Sequence, residues 1–221
     1  MKKSLLVVLG IALTLAACGG EQKVVRKMEI RASDSSKVRT LLEATERVME
    51  RRFASLKLLN ARASVVPLDT KSAMLTLTLP DSETAERFEA ILSAPFTFDV
   101  RIEKPKEKLK KDDPDEIEWI PTALTGSSLS WVQAIGNKNT GRVSLELQFT
   151  EKGQSLLQSL FRENVGKNIG IFVRDAMMST FSISSPDVGS SIMIGGVPSA
   201  SIAEVFSDDV NVGLFVSFTN P

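Results

Sequence analysis

The sequence predicts an α+β protein, and three observations carry that prediction. Over about the first hundred residues the apolar positions switch between a period of two and spacings of three and four, the patterns of strands and helices respectively. The segments follow the order strand, helix, strand, strand, helix, strand, which is the split βαβ or ferredoxin-like arrangement. A run of charge and proline, Glu103 to Glu118, then separates this half from a second one in which strands mix with helices again.

The extreme N-terminus reads differently. Lys2 and Lys3 precede an apolar run from Leu5 to Ala17, which closes on Leu15-Ala16-Ala17-Cys18. A spanning helix needs roughly 20 apolar residues, and this run is shorter. Basic start, apolar segment, small residues and thiol are the parts of a bacterial lipoprotein signal. Residues 1–17 are therefore expected to be a signal peptide, with Cys18 lipidated (palmitate among its acyl groups) and 18–23 a polar tether. The alternatives are an uncleaved anchor helix, or a plain secretory signal with a chance cysteine. The expected place is the bacterial cell envelope, on the inner or outer membrane, with the body facing the periplasm or exterior. Cys18 is the only cysteine in 221 residues, so packing rather than disulfides must hold the body.

The first half, residues 24–102, is expected to be the ferredoxin-like base. Met28 and Ile30 alternate with charged neighbours in a first strand. Asp34, Ser35 and Ser36 can accept from the free N–H groups of a helix start. Val38, Leu41, Leu42, Thr45, Val48, Met49, Phe53 and Leu56 then form one amphipathic stripe. Ala61–Val66 and Ala73–Leu79 read as strands joined by a turn, with Leu75, Leu77 and Leu79 facing inward. Asp81 or Ser82 caps a second helix carrying Ala85, Phe88, Ile91 and Leu92, and Pro95 ends it. Phe96, Phe98, Val100 and Ile102 alternate strictly, which predicts the closing strand.

Residues 103–118 read as a charged linker or hairpin, basic from Lys104 to Lys111 and acidic from Asp112 to Glu118. Such a segment buries too little apolar surface to offset its ordering entropy. A basic patch resting on anionic headgroups is the other reading. Residues 119–221 form the expected head domain. Its strands are Val143–Phe149, Ile169–Val173, Ala176–Ser184 and Ser190–Ile194. Thr150 caps a helix with Leu156, Leu157, Leu160 and Phe161. Gly195-Gly196 reads as a bend, and Ser199 or Ser201 caps a last helix with Ile202, Val205 and Phe206. Val212, Leu214, Val216 and Phe218 alternate in an expected final strand.

Composition narrows the function. Lys and Arg number 27, Asp and Glu 27, and loss of Lys2 and Lys3 with the signal leaves 25 against 27, a net charge of −2. A nucleic-acid binder needs a basic face, so nucleic acid is excluded as a partner. Histidine is absent, and with it the commonest general base and metal ligand. No phosphate loop, nucleophile elbow or metal-ligand spacing occurs. Asp112, Asp113, Asp115 and Glu116 cluster, but on a segment where water keeps carboxylates ordinary. The expectation is a non-catalytic protein without metal or other cofactor.

Several motifs carry a resemblance. Leu124-Thr125-Gly126 is similar to the opening of the first large periplasmic domain of SecD, part of the SecDF accessory to the Sec translocon. The stretch Val143–Gly153, the turn Asn164-Val165-Gly166-Lys167, the strand Ile169–Val173 and Ile194-Gly195-Gly196 resemble successive motifs of the same domain. Arg51-Arg52 and Leu77-Thr78-Leu79-Pro80 resemble motifs of its base. The sequence departs at Arg174-Asp175-Ala176 and Ser179-Thr180-Phe181, where the family has L-D-G and S-A-P. SecD continues into six membrane helices, and here a lipid would replace them, so the proton-driven mechanism is not carried over. The resemblance implies a base carrying a head that touches unfolded polypeptide, with unfolded polypeptide or Sec translocon components as partners besides the membrane reached through Cys18. Met177, Met178 and Phe181 are then the candidate contact surface, since methionine adapts to irregular partners. Core packing is the alternative for these alternating residues. The alternative function is a structural envelope lipoprotein that binds another envelope component by a strand edge.

Overall fold

The structure, a computed structural model, describes residues 20–32, 34–104, 118–136 and 142–221. The expected signal, Cys18 and most of the 103–118 bridge lie outside the described residues. The elements in chain order are β1 (Gln22–Ile30), α1 (Ser35–Ser55), β2 (Arg62–Pro67), β3 (Ser72–Leu79), α2 (Ser82–Ser93), β4 (Phe98–Glu103), β5 (Trp119–Thr125) and β6 (Leu129–Gly136). They continue with β7 (Val143–Phe149), α3 (Glu151–Glu163), β8 (Asn168–Val173), β9 (Ala176–Ser182), β10 (Ser191–Val197), α4 (Ala200–Phe215) and β11 (Val216–Thr219). All sheet pairings are antiparallel, and the fold is α+β.

The first half builds as its periodicity dictates. Asp34 accepts from Ser36 N–H at 2.8 Å and starts α1, whose buried face is Leu41, Ala44, Thr45, Val48, Met49 and Phe53. Asp81 accepts from Thr84 N–H at 2.7 Å and starts α2. Phe88 of α2 meets Phe53 with ring centroids 5.1 Å apart, over the fully buried Leu75, Leu77 and Leu79 of β3. Burying each such side chain is worth about 1.5–3 kcal/mol relative to exposing it.

The strand after α2 departs from expectation. Phe98–Glu103 does not close the first-half sheet; β4 lies between β5 and β8 in a four-stranded sheet of order β5-β4-β8-β9. The place beside β1 belongs to β11, giving the order β11-β1-β3-β2 with Met28 opposite Phe218. Alternation reports which face of a strand is buried, not which sheet it joins. Phe98 and Val100 are buried, and they belong to the second core together with Ile169 and Ile171. The charged bridge connects two paired strands, since Glu103 lies opposite Trp119 and Lys104 N–H donates to Glu118 O at 2.9 Å.

Two other elements differ. The final strand shrinks to Val216–Thr219, and α4 takes Val212 and Leu214. Tertiary contacts override the local alternation. The buried Asn211 accepts from Val132 N–H at 3.0 Å and donates to Val132 O at 2.7 Å, pairing a helix side chain with the edge of β6. Val212 enters the first-half core. Strand β6, unanticipated, completes a three-stranded sheet of order β10-β7-β6.

The two halves share side chains. Trp131 of β6 is buried in the first-half core and stacks on Phe215 at 5.8 Å. Asp208 of α4, buried, takes both prongs of the Arg47 guanidinium (2.9 and 2.8 Å) and also accepts from Arg51 at 3.1 Å. These bonds raise Arg47 above its ordinary pKa. Strand β11 therefore joins the first sheet directly out of a helix that packs on both halves.

Candidate functional site

Met178 and Ile202 stay half exposed where two strand edges, unpaired among the described residues, converge. β9 ends one sheet and β10 ends another. A groove of ≈ 290 Å³ runs between them, lined by Met178 and Ser179 of β9, by Ile194 through Val197 of β10, and by Pro198, Ile202 and Phe206 at the start of α4.

Each wall is shaped by a β-bulge. On β9 the register with β8 slips between Ile171 and Phe172, which leaves Met178 as the extra residue. On β10 the register with β7 slips between Ile194 and Val197, and Gly195-Gly196 fills the slip. The pair expected to bend the chain thus bulges a strand that continues to Val197. Gly196 has φ +73°, a left-handed conformation that glycine adopts freely. A bulge re-aims the side chain at its extra residue and interrupts pairing along the edge. Ser199 accepts from Ile202 N–H at 3.2 Å, and this cap sets the first turn of α4 against the groove.

The three candidate contact residues fall in different places. Met177 and Met178 are 53% and 50% exposed, whereas Phe181 turns inward against the second core, 6.4 Å from Phe161. Of the three, Met178 lines the groove. Ile202, expected on the buried stripe of the last helix, is 51% exposed at the rim. Ile194, Pro198 and Phe206 complete a wall that residue type alone did not reveal. The double glycine interrupting an alternating segment was its one sequence signal.

The outer face of the three-stranded sheet carries a polar cluster, with the exposed Met193 and Ile135 beside it. Glu146 accepts from Gln133 at 2.6 Å, Gln148 at 3.0 Å and Ser191 at 2.9 Å. These bonds, that of Gln148 foremost, hold its carboxyl below the usual carboxylate range. A carboxylate so fully engaged is a poor proton acceptor. Among the described residues no group of three or more His, Cys, Asp or Glu is placed to hold a metal ion. No helix among them is long and apolar enough to cross a membrane. The groove can offer apolar contact and free strand edges, the two requirements for taking up an extended polypeptide segment.

Comparison with known proteins agrees with the resemblance. Residues 107–209 match the family model described as SecDF, P1 head subdomain. The second half of this chain is thus similar to the SecDF P1 head subdomain, the similarity that the motifs from Leu124 to Gly196 carry. Three solved SecDF structures are similar to it. One, described as a membrane component that enhances protein export, is 18% identical, with 90% of this chain and 99% of that chain covered and a TM-score of 0.47. SecDF in a super-membrane-facing form is 19% identical over 91% of this chain, with a TM-score of 0.48. SecDF of Thermus thermophilus, a translocon-associated membrane protein, is 20% identical over 90% of this chain, with a TM-score of 0.49. This chain spans 30% of the length of each of the latter two. No curated protein matches.

Proposed function

We propose that this protein is a non-catalytic, lipid-anchored accessory to protein export that holds extended, unfolded polypeptide in the groove between β9 and β10. The observation that carries the reading is that groove: two unpaired strand edges with Met178 and Ile202 half exposed between them. Main-chain bonds to a free edge accept any sequence, and a soft thioether accepts side chains of varied shape. The match of residues 107–209 to the SecDF P1 head subdomain supports the export context. Lipidation of Cys18 would keep the body at the membrane surface, facing the periplasm or exterior, near translocon components.

The test is binding of a fluorescent, permanently unfolded polypeptide by the full chain and by the double variant Met178→Ser, Ile202→Ser. Affinity is expected to fall at least tenfold, about 1.4 kcal/mol. Tm should change by less than about 3 °C, because both side chains are half exposed at the start. Unchanged affinity would remove the groove from the account. Crosslinking in envelopes then separates the two biological readings: translocon components among the products support export, and cell-wall components support the structural alternative.

A further inference from the structure

A second concavity, separate from the groove, lies where the two halves meet. Helix α1, the turn after α2, the β8–β9 turn, α4 and β11 enclose a cavity of ≈ 300 Å³. Three guanidinium groups line it: Arg31 past the end of β1, Arg52 on α1 and Arg174 in the β8–β9 turn. Asp209 is the one carboxylate in the lining, and its Oδ1 already lies 3.6 Å from Arg51. The neighbouring Asp208 is taken by Arg47 and Arg51.

The three cations are unequally satisfied. Arg31 donates to Leu214 O at 2.8 Å. Arg174 lies over the Phe96 ring at 5.2 Å. Among the described residues the Arg52 guanidinium has no hydrogen-bond or ion-pair partner, while its backbone carbonyl accepts from Leu56 N–H at 3.1 Å and from the Ser55 hydroxyl at 2.8 Å. Burial, and after it the like charge of Arg174, lower its pKa from the ordinary guanidinium value.

The backbone also bends to deliver one of these charges. Arg174 and Asp175 have φ of 49° and 62°, at a turn where glycine or asparagine would sit without strain. Arg174 N–H is bonded to Thr97 O at 3.0 Å, and the Phe96 ring beneath its guanidinium is seated on Gly213, where a Cβ would lie 2.2 Å from the ring. The arginine is thus built into the wall.

We propose that this cavity binds a phosphate group, free or at the head of a lipid, held by Arg52 and Arg174 with Arg31 at the rim, and that the bound anion clamps the two halves together. Phosphate fits better than a single carboxylate. Three guanidiniums face one carboxylate already engaged, an excess that one added negative charge does not cancel. A phosphate monoester carries about −1.5 to −2 and presents three acceptor oxygens to forks arriving from different directions.

The test uses the full chain in neutral detergent micelles, titrated with inorganic phosphate at constant ionic strength. Tm is expected to rise saturably, by about 5 °C at a hundredfold excess over Kd, while chloride gives no such curve. Arg52→Met should abolish the response without lowering Tm in the absence of phosphate, since an unpaired, half-buried charge is removed. Arg174→Gly guards against misfolding, because glycine suits the turn. It should raise the starting Tm and weaken the response at least tenfold. No saturable rise in the full chain, or a rise unchanged by both substitutions, overturns the proposal. Repeating the titration in phosphatidylcholine vesicles with and without phosphatidic acid, whose headgroup is a phosphate monoester, identifies the source. A response displaced by phosphatidic acid assigns the site to a lipid headgroup, and an equal response in both assigns it to free phosphate.

Discussion

Asn211 is the side chain on which the junction turns. It supplies a donor and an acceptor to Val132, as a neighbouring strand would. Asn211→Leu leaves a buried N–H and C=O without partners and should cost about 2–4 kcal/mol, read from the urea midpoint. Gly153 shows the same dependence on close approach. A Cβ there would lie 2.3 Å from Ser128 O, so Gly153→Ala should destabilise, although the exchange usually strengthens a helix. The neighbouring cap is ordinary: Thr150 accepts from Gly153 N–H at 3.1 Å, and Thr150→Ala should cost about 1 kcal/mol. Acid stability follows the carboxylates. Asp34 and Asp81 are held low first by backbone N–H groups, Asp69 first by the Ser72 hydroxyl, and Glu146 first by Gln148. Their folded pKa values lie below their unfolded ones. Their contribution is complete above the ordinary value near ~4 and is lost as pH falls through the folded values. Urea midpoints should therefore hold steady down to about pH 5 and decline below about pH 4.

Among the elements, α4 bears the largest load because it serves both halves. Its Asp208 meets two arginines of α1 whose side chains are 36% and 31% exposed. Asp208→Ala should cost about 1–3 kcal/mol, less than a fully buried pair because solvent screens the arginines. Heat denaturation of this variant, of Arg47→Met and of the double variant measures the coupling. The helices of the first half were legible in the sequence, since caps and a stripe such as Val48, Met49 and Phe53 are local signals. The groove was only partly legible. Met178 could be singled out by type, but its outward aim comes from a slip in pairing with β8 that no local pattern encodes. Phe181 shares its strand and faces the core instead. Ile202 looked like core because apolar spacing on a helix does not say whether the last contact is made or left open.

At the scale of the whole molecule, strand identity was readable and strand partnership was not. Phe98–Glu103 alternates as any half-buried strand does, and nothing in it distinguishes the sheet it joins from the one it leaves. The exchange makes the halves interdependent. Thermal unfolding of the full chain should show one transition, with calorimetric and van't Hoff enthalpies equal, and two separated transitions would contradict the shared sheet. Removing residues 216–221 should abolish that transition rather than trim it, because β1 loses its neighbour on one flank, and with it the strand that ties the second half into the first sheet, keeping only β3.

Strand β11 also sets a timetable. Glu29 and Ser217, which meet across the β1 edge, are 188 residues apart in sequence. While the polypeptide is being delivered from its N-terminus, β1, β2 and β3 can gather with their helices, yet one flank of β1 stays bare until nearly everything downstream has arrived. Such distant closure is slow and leaves an edge open to wrong neighbours in the interval. A protein so wired matures last where it begins.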